Sequence, residues 1–291
     1  AAIIEALFAV PKERARAERL VLEACAQVRD SDNATRREFA RLLGNLPAGE
    51  WSAFLSVLLH DEEVSVVRLA AASAGRLRLP ELIDPLAQLL VDRYVRQQVR
   101  SALAAYGDDL TEPATSWLND PALSLRLRHE VPRLLRMIGT PAAANALLHS
   151  RQDDDPFVQY RVAIALSRII HEQPRVLKQL DRMRIHGAIL RQIRRLFVLR
   201  QQSLALLTSE RFEMLHRAVS SRHAQVLDIC LRLFGLDGDR QLIHDVTRVL
   251  VSGNRASRGD ALELLDVSLQ HHPLRKALLS ELERNEETIE P

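Results

Sequence analysis

Apolar residues recur along the chain at helical spacing, and the same polar punctuation returns about every thirty residues. In DEEVSVVRLAAASAG (61–75), Val64, Val67, Ala71 and Ala74 fall on one face of a helix. The signature returns in ATRREFARLLG (34–44), DRYVRQQVRSALAAYG (92–107) and DPALSLRLRHEVPRLLRMIG (120–139). Gly44, Gly75, Gly107 and Gly139 close these copies, 31, 32 and 32 residues apart. A period of this length predicts stacked helical hairpins, because one hairpin cannot bury its apolar face alone. The expected fold class is all-α, an α-solenoid.

Within each unit a first helix precedes the signature helix. Pro47 opens AGEWSAFLSVLLH (48–60), Pro80 and Glu81 open LPELIDPLAQLL, and Pro113 opens the fourth unit. Asp61 and Asp92 stand where N-caps belong, and Gly75 is expected to end its helix with a positive φ. A first unit is readable at 12–44, and a fifth begins at Thr140-Pro141 and re-enters its second helix at DDDPFVQYRVAIALSRII (153–170). Beyond residue 170 the period blurs. Helices are expected near 174–184, 186–207, 209–220, 222–235, 239–252, 255–270 and 272–285. Residues 1–170 are thus read as repeat units and 171–291 as longer hairpins continuing the same solenoid.

These units resemble HEAT repeats. The resemblance rests on Asp61 with Val67-Arg68, Asp92 with Val99-Arg100, and Asp155 with Tyr160-Arg161. It implies a ladder in which Asp61, Arg68, Asp92, Arg100, Asp155 and Arg161 tie each repeat to its neighbour. An aspartate complements a helix N-terminus and a guanidinium fork can bridge to the next turn. Arg37 holds the equivalent position in the first unit, while the fourth has Val131-Pro132 in place of Val-Arg. LHRAVSSRHAQVLDICLRLFGL (215–236), SGNRASRGDALELLDVSL (252–269) and LRLRHEVPRLLRMIGTPAAANALL (125–148) are similar to a narrower group, the cytosolic HEAT domain of bacterial ADP/ATP-translocase-like nucleotide transporters. That similarity implies a regulatory or assembly domain tethered to a membrane bundle. Its partner would be a protein or the transporter's own membrane domain. A free-standing HEAT adaptor is the alternative, and a HEAT-like glycosylase or bilin-lyase relative a more remote one.

Composition narrows the chemistry. The 291 residues are 47% apolar and only 4% aromatic, which suits closely packed Ala- and Leu-rich helices. Forty basic and 38 acidic residues leave a net charge of +2, too little for a general nucleic-acid coat, so no nucleic-acid partner is expected. Cys25 and Cys230 are the only cysteines, 205 residues apart, and point to a reducing, cytoplasmic setting. No run reaches the ~18–20 apolar residues that span a bilayer, and the apolar opening AAIIEALFAV reads as a capping helix.

No phosphate-binding glycine loop or H-E-x-x-H occurs. His60-Asp61-Glu62-Glu63 and His271-His272 hold ligand-type residues, but neighbours on a helix diverge. Asp237-Gly238-Asp239 reads as a turn. Catalytic, cofactor and metal residues are therefore expected to be absent, and the chain is expected to be no enzyme. One charge anomaly remains. Residues 175–200 carry eight Arg or Lys and one acid, Asp181. Arg184, Arg191 and Arg195 recur on one face, with Arg194 beside them, opposite Ile185, Ile189, Ile193, Leu196 and Phe197. These four arginines are the candidates for an anionic partner: a lipid headgroup, a nucleotide phosphate or an acidic protein.

Overall fold

The computed structural model describes residues 2–47, 49–150, 155–206, 212–236, 240–252 and 255–284. Among them the secondary structure is entirely helical. Contacts divide the chain into two units, Ala1–Ile138 and Gly139–Pro291.

The first unit holds α1 (Ala2–Phe8), α2 (Arg14–Val28), α3 (Asn33–Asn45), α4 (Phe54–Leu58), α5 (Val64–Leu77), α6 (Ile83–Gln88), α7 (Arg96–Ala104), α8 (Thr111–Asn119) and α9 (Leu125–Ile138). The signature helices pack in a row, α3 on α5, α5 on α7 and α7 on α9. Ala70, Ala71 and Ala74 are fully buried between them, small enough to let backbones approach. The first helix of the second repeat is shorter than its apolar pattern suggests. Residues 50–58 form a 3-10 turn, Glu50–Ala53, followed by only five α-helical residues.

Two glycines work differently from the expectation. Gly75 does not end its helix, which runs on to Leu77 and closes through Arg78 at φ 54. A Cβ on Gly75 would lie 2.7 Å from the Ala102 Cα, so the missing side chain lets α5 touch α7. Gly44 lies inside α3, where a Cβ would meet the Ser73 Oγ at 2.4 Å. That hydroxyl is itself satisfied, donating to the Ala40 carbonyl at 2.7 Å. Gly107 (φ 61) and Gly139 (φ 71) do serve as left-handed turns. One sequence position thus meets two requirements, close approach early in the row and chain reversal later. The cap of α5 also shifts. Glu63, not Asp61, accepts from the Ser65 N–H, while Asp61 accepts from the Glu63 N–H at 2.9 Å.

The second unit holds α10 (Pro141–His149), α11 (Pro156–Glu172), α12 (Arg182–Leu206), α13 (Glu213–Phe234), α14 (Arg240–Ser252), α15 (Arg255–Ser268) and α16 (Arg275–Arg284). The stretches 209–220 and 222–235, expected as two helices, are one helix over their described part, because no Gly or Pro interrupts 213–234. Residues 174–179 form a 3-10 helix in place of an α-helix. α13 is the hub, packed against α11, α12 and α14, and α16 closes on α12 and α15.

Candidate partner-binding groove

In the first unit, arginines on successive signature helices reach residues further along the chain. Arg36, Arg68 and Arg100 stand 32 residues apart, one on each of α3, α5 and α7. Arg36 forks onto Asp61 at 2.7 and 3.2 Å, both side chains mostly buried. Arg37, the residue expected there, is exposed, because one residue further along α3 turns the side chain about 100° away. Arg68 donates twice to the Tyr94 carbonyl, at 3.1 and 2.7 Å. Arg100 faces Glu130 at 3.7 Å, joined there by Arg96 at 3.4 Å. Asp92 accepts from the Tyr94 N–H at 2.8 Å and so shapes the turn that presents the carbonyl to Arg68. In the second unit Asp155 caps α11, accepting from Phe157 and Val158 N–H at 2.8 and 3.0 Å, and Arg161 is exposed on that helix. The ladder contacts in the first unit join elements of the fold to one another.

The four arginines of α12 have unlike surroundings. Arg184 pairs with Asp181 at 3.4 Å. Arg195 is half-buried and donates to the Gln159 Oε1. Arg194 and Arg191 are both exposed, Arg191 at the edge of a cavity. Partial burial holds the Arg191 guanidinium below its usual pKa. Of the apolar stripe, Ile185, Ile189, Ile193 and Leu196 are buried, but Phe197 is 44% exposed. The seam turns toward Arg200 instead, whose guanidinium carbon lies 5.4 Å from the Phe197 ring centre. Arg200 is buried and donates to the Glu281 Oε1 at 2.7 Å, tying α12 to α16.

A broad concave surface lies along α11. Its buried face, with Val158, Ala163, Leu166, Ile169 and Ile170, already supplies the core. A second stripe remains: Phe157, Tyr160, Ile164, Arg168 and His171, at helical spacing. Phe157 is 59% exposed. This stripe and α13 bound a cavity of about 670 Å³ that also includes Ala224 and Asp228. Tyr160 and Ile164 are shared with a second cavity of about 520 Å³, which runs on to His244 of α14. Arg232 marks the junction, 3.0 Å from Asp228 and with its guanidinium carbon 5.7 Å from the Tyr160 ring centre. The groove is therefore apolar near Phe157 and basic near Arg168. Sequence reasoning used Tyr160-Arg161 only as a ladder match. The surplus of apolar residues on α11, two stripes where packing needs one, was the available signal.

Groups suited to bond-making chemistry are scarce. Burial pushes the Cys25 thiol up to about 11 and raises Cys230 further, so neither thiolate is favoured near neutral pH. His223 is pushed down to about 4 by burial and by the Arg258 and Arg200 charges, which keeps it neutral. Among the described residues no group of three or more His, Cys, Asp or Glu side chains converges to hold a metal. Asp237-Gly238-Asp239 lies outside the described residues. No described helix is long and apolar enough to cross a membrane.

Residues 21–104 match the sequence model of HEAT repeats. No curated protein matches the chain. Among solved structures the chain is similar to human deoxyhypusine hydroxylase, determined in complex with glycerol. Identity is 16%, with 99% of this chain and 94% of that one covered at a TM-score of 0.26. It is also similar to an engineered protein, at 18% identity over 96% of this chain and 70% of that one, with a TM-score of 0.32. At such scores neither likeness carries an argument about chemistry, and none of these findings points to a nucleotide transporter.

Proposed function

We propose that the chain is a non-catalytic helical-repeat domain that binds a protein partner in the groove along α11, α13 and α14. The observation that carries this reading is the second stripe of α11. Phe157, Tyr160 and Ile164 remain outside the core and converge with α13 on one concave surface, where an apolar side chain of a partner would be desolvated. The basic end at Arg168 suits a carboxylate on the same partner. A narrower form of the proposal is that this domain regulates or assembles a bacterial nucleotide transporter. The similarity of residues 215–236 and 252–269 to the cytosolic domain of such transporters supports it.

The test is site-specific photo-crosslinking in the native host. A benzophenone amino acid replaces Phe157, and in a control it replaces Val57, an exposed residue of the first unit. A discrete adduct at 157 and none at 57 is expected, and it disappears when Ile164→Asp is added. Equal labelling at both positions would overturn the groove. An adduct to a polypeptide other than a transporter would remove the narrower form and leave the broader one standing.

A further inference from the structure

Four helices of the second unit enclose a small cavity distinct from the groove. Leu147 of α10, Val158, Val162 and Leu166 of α11, and Leu233 of α13 give it apolar walls. From α12, Arg191 and Gln192 complete the lining. The volume is about 40 Å³, room for roughly three water-sized groups. Gln192 is 1% exposed, and its buried Oε1 has no hydrogen-bond partner among the described residues. Buried amides are rarely left this way without something to meet them. Arg191 makes no ion pair or hydrogen bond among the described residues, and its Nη1 lies back over Gly187, 3.5 Å from where a Cβ would stand.

We infer that this cavity is a binding site for a short-chain monocarboxylate, with the carboxylate on Arg191 and the Gln192 amide and the aliphatic tail among Val158, Val162 and Leu166. A guanidinium and a primary amide together match the planar, two-oxygen geometry of a carboxylate. Turning the amide about its last bond presents Nε2 as donor in place of Oε1. One cation serves one negative charge, so a phosphate dianion would bring a second charge into apolar walls without a counter-ion. Water is a poorer occupant. A buried water wants about two to four polar partners; Arg191 and Gln192 supply only the lower end of that range, and the rest of the wall is apolar. The neighbouring polar groups are already engaged, with the Ser150 hydroxyl donating to the Leu147 carbonyl and the Gln159 Oε1 held by Arg195. The site therefore asks for a ligand with a charged head and a short apolar tail. It also narrows the basic run of α12 to one arginine beside a shaped cavity.

Isothermal titration of the full chain with sodium acetate, propionate, butyrate, valerate and hexanoate tests the inference, with sodium chloride and 1-butanol as controls. Saturable binding at roughly millimolar Kd is expected. Affinity rises about fourfold per added methylene until the cavity is full, near butyrate, and then falls. Arg191→Met weakens butyrate binding at least tenfold, and so does Gln192→Leu, while both variants keep the wild-type circular dichroism spectrum. The neutral 1-butanol does not compete. Affinity climbing smoothly to hexanoate would mean unspecific apolar partition and would overturn the assignment. So would equal butyrate binding by Arg191→Met, or no saturable heat from any member of the series.

Discussion

Arg200 and Glu281 are the deepest ion pair described in the second unit, with side chains 8% and 6% exposed and Nε to Oε1 at 2.7 Å. Arg200→Ala leaves the Glu281 carboxylate buried without its counter-charge. Breaking one side of such a pair costs about 3–5 kcal/mol. Replacing both partners by apolar residues of similar size removes the desolvation penalty along with the attraction. Arg200→Met with Glu281→Leu is therefore expected within about 1 kcal/mol of wild type, or above it. Urea unfolding followed by far-ultraviolet circular dichroism gives the free energies. Hydrogen exchange in α12 and α16 peptides locates the loss, which matters because Trp51 and Trp117, the only tryptophans, both report on the first unit. A single-variant cost below about 1 kcal/mol, the level of an exposed pair, would refute the reasoning. So would a double variant as unstable as the single one.

Three further outcomes follow from other contacts. His223, at about 4 in the folded chain against an ordinary 6.5, means that the unfolded state takes up the proton first as pH falls. Stability should thus be intact above pH 6.5 and decline by about 3 kcal/mol on the way to pH 4; thermal melts across that window should lose this slope in His223→Leu, and an unchanged slope counts against the buried neutral imidazole. Gly75→Ala should destabilise by about 1–3 kcal/mol, because its Cβ meets the Ala102 backbone. Gly259→Ala, in α15 with open space around it, should stabilise by about 0.5–1 kcal/mol, and chemical denaturation that ranks the two the other way would remove the close-approach account. In the ladder, Arg36→Ala should cost about 1.5–3 kcal/mol and Arg37→Ala less than about 0.5 kcal/mol; equal effects on the denaturation midpoint would place the contact elsewhere.

The row of helices was legible because its cause is local. Small residues at one face, an acid before the helix and a glycine at or near its end repeat with the fold's own period. At the first signature helix it is Arg36, not Arg37, that reaches Asp61, because the two differ only by a helical turn angle that pattern alone does not resolve. What each repeat glycine does was not legible. Gly75 and Gly107 occupy equivalent positions, yet one faces a neighbouring helix and the other adopts a positive φ. The basic run at 175–200 reads as one face on a helical wheel. Only packing separates Arg195, engaged by Gln159 from α11, and Arg200, engaged by Glu281 from α16. Both partners are distant in sequence, and no spacing rule reaches them.

α11 carries both candidate sites, and the reason lies in its composition. A helix packed on one side needs an apolar face of roughly 100° or a little more. α5 has about that: Val66, Val67, Ala70, Ala71 and Ala74 are buried, and no large apolar side chain of that helix stands exposed. α11 exceeds it. Val158 and Leu166 serve the core and the small cavity, while Phe157, Tyr160 and Ile164 are left for the groove. Leaving a phenylalanine in water gains nothing for folding, so the exposed Phe157 has no account in stability. The two sites nonetheless use different residues, and they can be separated by substitution. Phe157→Ser removes an exposed side chain, which should leave the melting temperature within the range of ordinary surface changes, about 0.5 kcal/mol. It should abolish the crosslink from a benzophenone at position 164 and leave butyrate binding intact. Arg191→Met should do the reverse. A variant set in which both activities fall together would mean that the two surfaces are one.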